Sequence, residues 1–208
     1  MGYNNRCNIT PVMKGAKMPP KAKFTKTDIV NTAFEMVRNH GADIISARNV
    51  AVALGTSTAP IFTAFDSIES LILAAKEKTV RFYRENYLDE ALREELPFKA
   101  AGRNYVKFAK EEPELFKFIF MAEGDDQPTS HYLPAGDPTS GDVLGAFVGN
   151  YDIDNDEARY IYNHMSVYTY GLAVLFARGC CVFTMEDVNR MMSEVFLALK
   201  AEVTRKNG

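Results

Sequence analysis

Tryptophan is absent, and histidine and cysteine occur only three times each. His40, His131 and His164 form no pair at metal-binding spacing and stand in no nucleophile motif, and the chain has no glycine-rich phosphate loop. These absences argue against an enzyme. Cys7, Cys180 and Cys181 are odd in number and lack metal-type spacing, so they read as ordinary thiols; neither a metal nor a cofactor is expected. No apolar run approaches the roughly 18 to 20 residues of a membrane span. The N-terminus carries scattered cations without the apolar stretch of a signal peptide. The expectation is a cytoplasmic protein with no membrane partner.

What the chain does have is a charge asymmetry. The net charge is −3 over 208 residues. Residues 1–65 nonetheless carry eight cations (Arg6, Lys14, Lys17, Lys21, Lys23, Lys26, Arg38, Arg48) against three acids (Asp28, Glu35, Asp43), and the acidic excess lies entirely beyond them. A basic N-terminal unit on an acidic body suits a nucleic-acid-binding module attached to a regulatory domain. The plain alternative is a solvated basic tail.

Hydrophobic spacing divides the chain. Residues 1–24 lack periodicity and contain three prolines, so they read as a disordered or extended basic arm. From Thr25, the positions Ile29, Val30, Ala33, Phe34 and Val37 recur at helical spacing. Thr25 with Asp28 resembles a capping box, and Gly41 closes the segment. Ser46 is a candidate cap for a short second helix bearing Val50, Ala51 and Leu54, ended by Gly55. Ser57 is a candidate cap for a third, in which Pro60 sits harmlessly in the first turn while Ile61 and Phe65 face inward. One long amphipathic helix, roughly 38 Å, is expected from Ile68 to about Arg93. Pro97 and Pro113 mark first turns of helices over 97–111 and 113–122. Residues 123–141 read as a long loop. A modest helix over 141–149 follows, then two long ones over 155–178 and 185–206, the last capped by Thr184. The expected fold is all-α, with eight or nine helices and no sheet: a helix-turn-helix domain over 25–67, then a helical effector-binding and dimerisation domain over 68–208.

The informative stretch is Ser46–Leu71. Two short helices joined by Gly55-Thr56-Ser57, with small Ala51 at the crossing and Val50, Leu54 and Ile61 as shared core, fit a helix-turn-helix whose second helix enters a major groove. In this register Val50-Ala51, Gly55-Thr56-Ser57, Ile61-Phe62, Phe65 and Glu69-x-Leu71 resemble the signature of TetR/AcrR family transcriptional regulators. The match covers about residues 25–75; the remainder resembles the family in length, helix count and its two long terminal helices. The resemblance implies a homodimeric repressor that binds double-stranded operator DNA and is released by an effector. Two positions depart from the family's pattern: its usual tyrosine is Phe62, and its usual lysine at the start of the fourth helix is Ile68. Backbone anchoring must then come from Lys21, Lys23, Lys26, Arg48 and the helix-three N–H groups at Thr58 and Ala59.

The DNA-binding set expected from this reading is Lys23, Lys26, Arg48, Thr56, Ser57, Thr58, Ala59, Pro60, Phe62 and Thr63. It contains no arginine fork on helix three, so thymine-methyl and phosphate contacts dominate, with Arg48 as the charged base contact. Candidate lining for the pocket of a small apolar or aromatic effector is Tyr105, Phe108, Phe116, Ile119, Phe120, His164, Met165 and Tyr168. Leu172, Leu175, Met191, Val195 and Leu199 are the candidate dimer interface, as part of a four-helix bundle. The competing reading is a helix-turn-helix protein that has lost DNA binding and serves as a ligand-binding or protein-interaction module, for which Phe62 and Ile68 speak.

Overall fold

The computed structural model describes residues 24–121, 140–150 and 154–206. The expected arm, including Lys23, and nearly all of the expected loop over 123–141 lie outside the described residues. What is described is all-helical, with no strand.

Local chemistry sets most of the helix starts. Helix α1, Lys26–His40, opens on a complete capping box in which Thr25 accepts from the Asp28 amide and Asp28 accepts from the Thr25 amide. It ends at Gly41, whose φ of +83° and ψ of 172° are open only to glycine. A short 3-10 turn, Ala42–Ile44, follows that periodicity did not suggest. Helix α2, Ala47–Ala53, is capped by Ser46 as expected. Its end is a Schellman closure: the Thr56 amide donates to the Ala51 carbonyl, the Gly55 amide donates to the Val52 carbonyl, and Gly55 sits at φ +64°.

Helix α3, Ala59–Ala64, corrects one expectation. The cap position falls on Thr58, not Ser57, and no side chain caps it. Pro60 in the first turn explains why the cap is dispensable: its missing N–H is one of the donors that would have needed satisfying.

Helix α4, Ile68–Tyr83, begins with a Ser67–Ser70 capping box. The expected single helix to residue 93 is interrupted, because Arg84–Leu88 form a π-turn before the short α5, Asp89–Ala91. The buried amide of Asn104 donates to the Tyr87 carbonyl inside that turn at 2.8 Å. A carbonyl of the turn thus gains a donor from a neighbouring helix.

Helices α6, Pro97–Glu111, and α7, Pro113–Phe120, start at the prolines that marked them. Helix α8 spans Ser140–Asn150, α9 Asn155–Ala177 and α10 Met185–Lys206. Asp154 caps α9 and Thr184 caps α10. Gly179, at φ +67°, turns the chain after α9 by the same Schellman pattern as Gly55.

One apolar core runs through the described residues. Ile29, Phe34, Val37, Val50, Ile61 and Leu71 join α1–α4. Around α6, Tyr83, Tyr105, Phe108, Phe116 and Phe120 form a mutual ring cluster with centroids 5.0 to 6.4 Å apart. Helix α6 lies along α9 in the same direction, since Phe98 meets Tyr162, Gly102 meets Thr169 and Lys110 meets Phe176 in ascending order.

Candidate functional site

Two places carry chemistry. The first is the outer surface of α2 and α3. Buried Val50, Ala51, Ile61 and Phe65 fix the two helices on α1 and leave Arg48, Ser57, Thr58, Ala59, Phe62 and Thr63 exposed, with Thr56 and Pro60 half-buried. The Thr63 hydroxyl donates to its own helix at the Ala59 carbonyl, 2.9 Å away, so only its methyl and lone pairs face outward. Lys26 is exposed at the start of α1, its ammonium 4.7 Å from the Phe65 ring centroid. Arg48 makes no ion pair among the described residues. All the residues expected at nucleic acid in this region except Lys23 therefore lie at a surface rather than in the core.

The charge there differs from the segment average. Over residues 24–65 the cations Lys26, Arg38 and Arg48 are matched by Asp28, Glu35 and Asp43, and Arg38 is committed to a forked ion pair with Glu112. The positive surplus of residues 1–65 thus resides in residues 1–23. Val52 and Phe62 are large, apolar and exposed, Phe62 at 55%.

The second place is a cavity of about 290 Å³ between α6, α8, α9 and α10. Its walls are apolar: Phe98 and Tyr105 from α6, Tyr162 and Met165 from α9, Met192 and Phe196 from α10. Tyr83, the last residue of α4, closes one side. Gly102 lets α10 approach, because a Cβ there would stand 2.5 Å from the Met192 Cε. Ser166 and Thr169 bring hydroxyls into this wall, both 6% exposed. Among the described residues Lys99 is the sole charged one of the lining, and it is exposed.

Of the expected pocket residues, Tyr105 and Met165 line this cavity. Phe108, Phe116 and Phe120 do not; they pack on one another and on Tyr83 as core, because a three-ring cluster buries more area together than against a void. Ile119 is half-buried against the same core, and Tyr168 is half-buried away from the lining. His164 is exposed, its Nδ1–H donating to the Tyr160 carbonyl at 2.8 Å, which corrects its placement in a pocket. The missed residues had a signal: Tyr162, Ser166 and Thr169 share one α9 face with Met165, and two hydroxyls on an apolar stripe stand out.

Among the expected dimer residues, Leu172 is 5% exposed and belongs to the protomer's own core. Its side chain has no face left for a partner. Leu175 is exposed, while Met191, Val195 and Leu199 are half-buried against the core. Val167 and Leu197 are more exposed than any of these, at 54% and 62%.

The two places are physically linked. Arg38 on α1 forks onto Glu112 at the α6–α7 junction, an interaction that raises the guanidinium's affinity for its proton. Tyr87, in the π-turn, donates to Glu111 at 3.1 Å; burial first, then that carboxylate, holds its hydroxyl proton well above the usual tyrosine range. No helix among the described residues is long and apolar enough to cross a membrane. No protein-family model matches the chain, and no curated protein matches it.

Proposed function

We propose that the protein is an effector-responsive, homodimeric transcriptional regulator that binds operator DNA through α2 and α3, as its resemblance to TetR/AcrR regulators implies. The observation that carries the reading is the α2–α3 unit itself. Two short helices meet at a glycine-closed turn over a shared core, and the second presents an open face of Ala59, Phe62 and Thr63. That is the arrangement a helix-turn-helix uses to enter a major groove. Affinity comes chiefly from the basic residues 1–23 with Lys26 and Arg48, so binding is to a pseudo-palindrome and steeply salt-dependent. Electrophoretic shift with the DNA flanking the protein's own gene, over a salt series, tests this; binding that is absent or flat with salt defeats it.

In this reading the effector occupies the α6–α9–α10 cavity and acts on α4. Tyr83 touches both, and Asn104, one residue from the cavity residue Tyr105, holds the π-turn of the α4–α5 segment. A dimer's recognition helices must sit about 34 to 36 Å apart to enter successive major grooves, so a small swing of α4 ends binding. About 1 to 3 kcal/mol of coupling between effector and DNA suffices for regulation.

A second reading has its own observation. The α1–α3 surface is charge-balanced and exposes Val52 and Phe62, which suits contact with another protein better than with phosphates. Under it, the chain is a ligand-binding or protein-interaction module that has lost DNA binding. Phe62→Tyr restores a phosphate donor: on the first reading it tightens DNA binding, on the second it changes nothing.

A further inference from the structure

The polar groups of the cavity are arranged for one kind of occupant. Ser166 and Thr169 are each 6% exposed, line the cavity, and have no hydrogen-bond partner among the described residues. A buried hydroxyl in a helix has an easy default, donating to the carbonyl four residues back, as Thr79 does to Ala75 at 2.9 Å. Ser166 and Thr169 do not take it. Two hydroxyls one turn apart in an apolar wall, with no protein partner among the described residues, are costly unless a ligand or water satisfies them.

Lys99 stands beside them. Helices α6 and α9 run parallel with Phe98 against Tyr162 and Gly102 against Thr169, so Lys99 and Ser166 both fall between those two pairs. Among the described residues its ammonium has no acidic partner, and no aspartate or glutamate of theirs lines the cavity. One cation and two unpaired hydroxyls thus line a space whose other walls include Phe98, Tyr105, Tyr162, Met165, Met192 and Phe196. The volume, about 290 Å³, is roughly twice the 150 Å³ that holds one benzene ring.

We infer that the ligand is an amphipathic monocarboxylate: an anionic head bound by Lys99, Ser166 and Thr169, and an apolar body of one or two rings or a medium acyl chain among the aromatic and methionine side chains. The inference rests on the reading of this cavity as the effector site. The hydroxyls donate to the carboxylate oxygens, Lys99 balances the charge at the mouth, and the apolar walls exclude amines and polyols by leaving their polar atoms unpaired.

The test uses the full chain and three probes of equal length: decanoate, 1-decanol and decylamine. Calorimetric titration should show decanoate binding at least tenfold more tightly than either of the others, since hydrogen bonds to a charged group are worth about a factor of ten or more. Lys99→Met should remove that preference while leaving decanol binding unchanged. The double variant Ser166→Ala/Thr169→Val should weaken decanoate about tenfold, yet raise the melting temperature of the empty protein, because it deletes two unpaired buried hydroxyls without losing volume at Thr169. A merely structural role for the pair predicts a lowered melting temperature instead. Equal affinity for decanoate and decanol, or a double variant that binds decanoate as wild type does, overturns the inference. Salt-dependent DNA binding without carboxylate selectivity would sink this inference alone. Carboxylate binding with no DNA binding would sink only the transcriptional reading.

Discussion

Single side chains in the α1–α3 unit carry consequences out of proportion to their size. Ile61 is wholly buried beneath the outward face of α3, so Ile61→Ala should cost about 2 to 5 kcal/mol of stability through the cavity it leaves. Chemical denaturation of the full chain measures this directly. Gly41 is a different case, since its backbone angles exclude other residues and the Glu114 carboxylate stands 2.9 Å from where a Cβ would be. Gly41→Ala should destabilise by about 1 to 3 kcal/mol, the usual cost of such backbone strain. The carboxylates Asp28 and Asp187 respond to pH instead. Hydrogen bonds from Thr25 and Thr184 hold both below the ordinary value of 3.8. Their contribution is complete above that value and is lost as pH falls through the lower folded-state value. Circular dichroism should show Asp28→Asn and Asp187→Asn variants losing less stability on acidification than the parent chain, since those positions no longer titrate.

At the level of elements, the α4–α5 segment is the part most altered by its neighbours. A uniform helix over 68–93 would couple α3 to the later helices as a rigid rod. The π-turn at Arg84–Leu88 places a second local arrangement within reach at the point where Asn104 reaches in. Asn104→Leu leaves the buried Tyr87 carbonyl without this donor, and the loss should be about 1 to 3 kcal/mol. If the turn transmits effector binding, the same variant should also reduce the effect of a cavity ligand on DNA affinity. Arg38 and Glu112 form a parallel connection between α1 and the α6–α7 junction. The arginine is 38% exposed, so solvent screening limits what Glu112→Gln should cost to about 1 kcal/mol.

On the scale of the whole molecule, the proposed homodimer needs a face on which two copies can meet. Val167, Gly171 and Leu175 recur every four residues along the exposed face of α9, and Leu197 is exposed on α10. These positions, rather than Leu172, are where a charge should separate protomers without unfolding them. Leu175→Glu should convert a dimer to a folded monomer in light scattering, with melting temperature little changed. Leu172→Glu should unfold the protomer, because it buries a charge in the core. A Leu175→Glu variant that stays dimeric would move the interface elsewhere.

The sequence by itself determined the elements. Thr25–Asp28, Ser46, Thr184, Pro97 and Pro113 set helix starts, and Gly41 and Gly55 set helix ends, because caps, ring geometry and left-handed backbone are local chemistry that needs no partner to act. The all-helical class followed from periodicity for the same reason. Tertiary structure decided whatever depends on which faces meet. Phe108, Phe116 and Phe120 were as plausible for a pocket as Phe98 and Tyr162, since aromatic residues on an apolar face look alike until packing shows which rings fill space and which border it. The π-turn arises where Asn104 meets Tyr87, and Leu172 became core because α9 lies against α6. Lys99 of α6 and Ser166 of α9, far apart in sequence, likewise come to line one cavity only because the two helices pack in parallel.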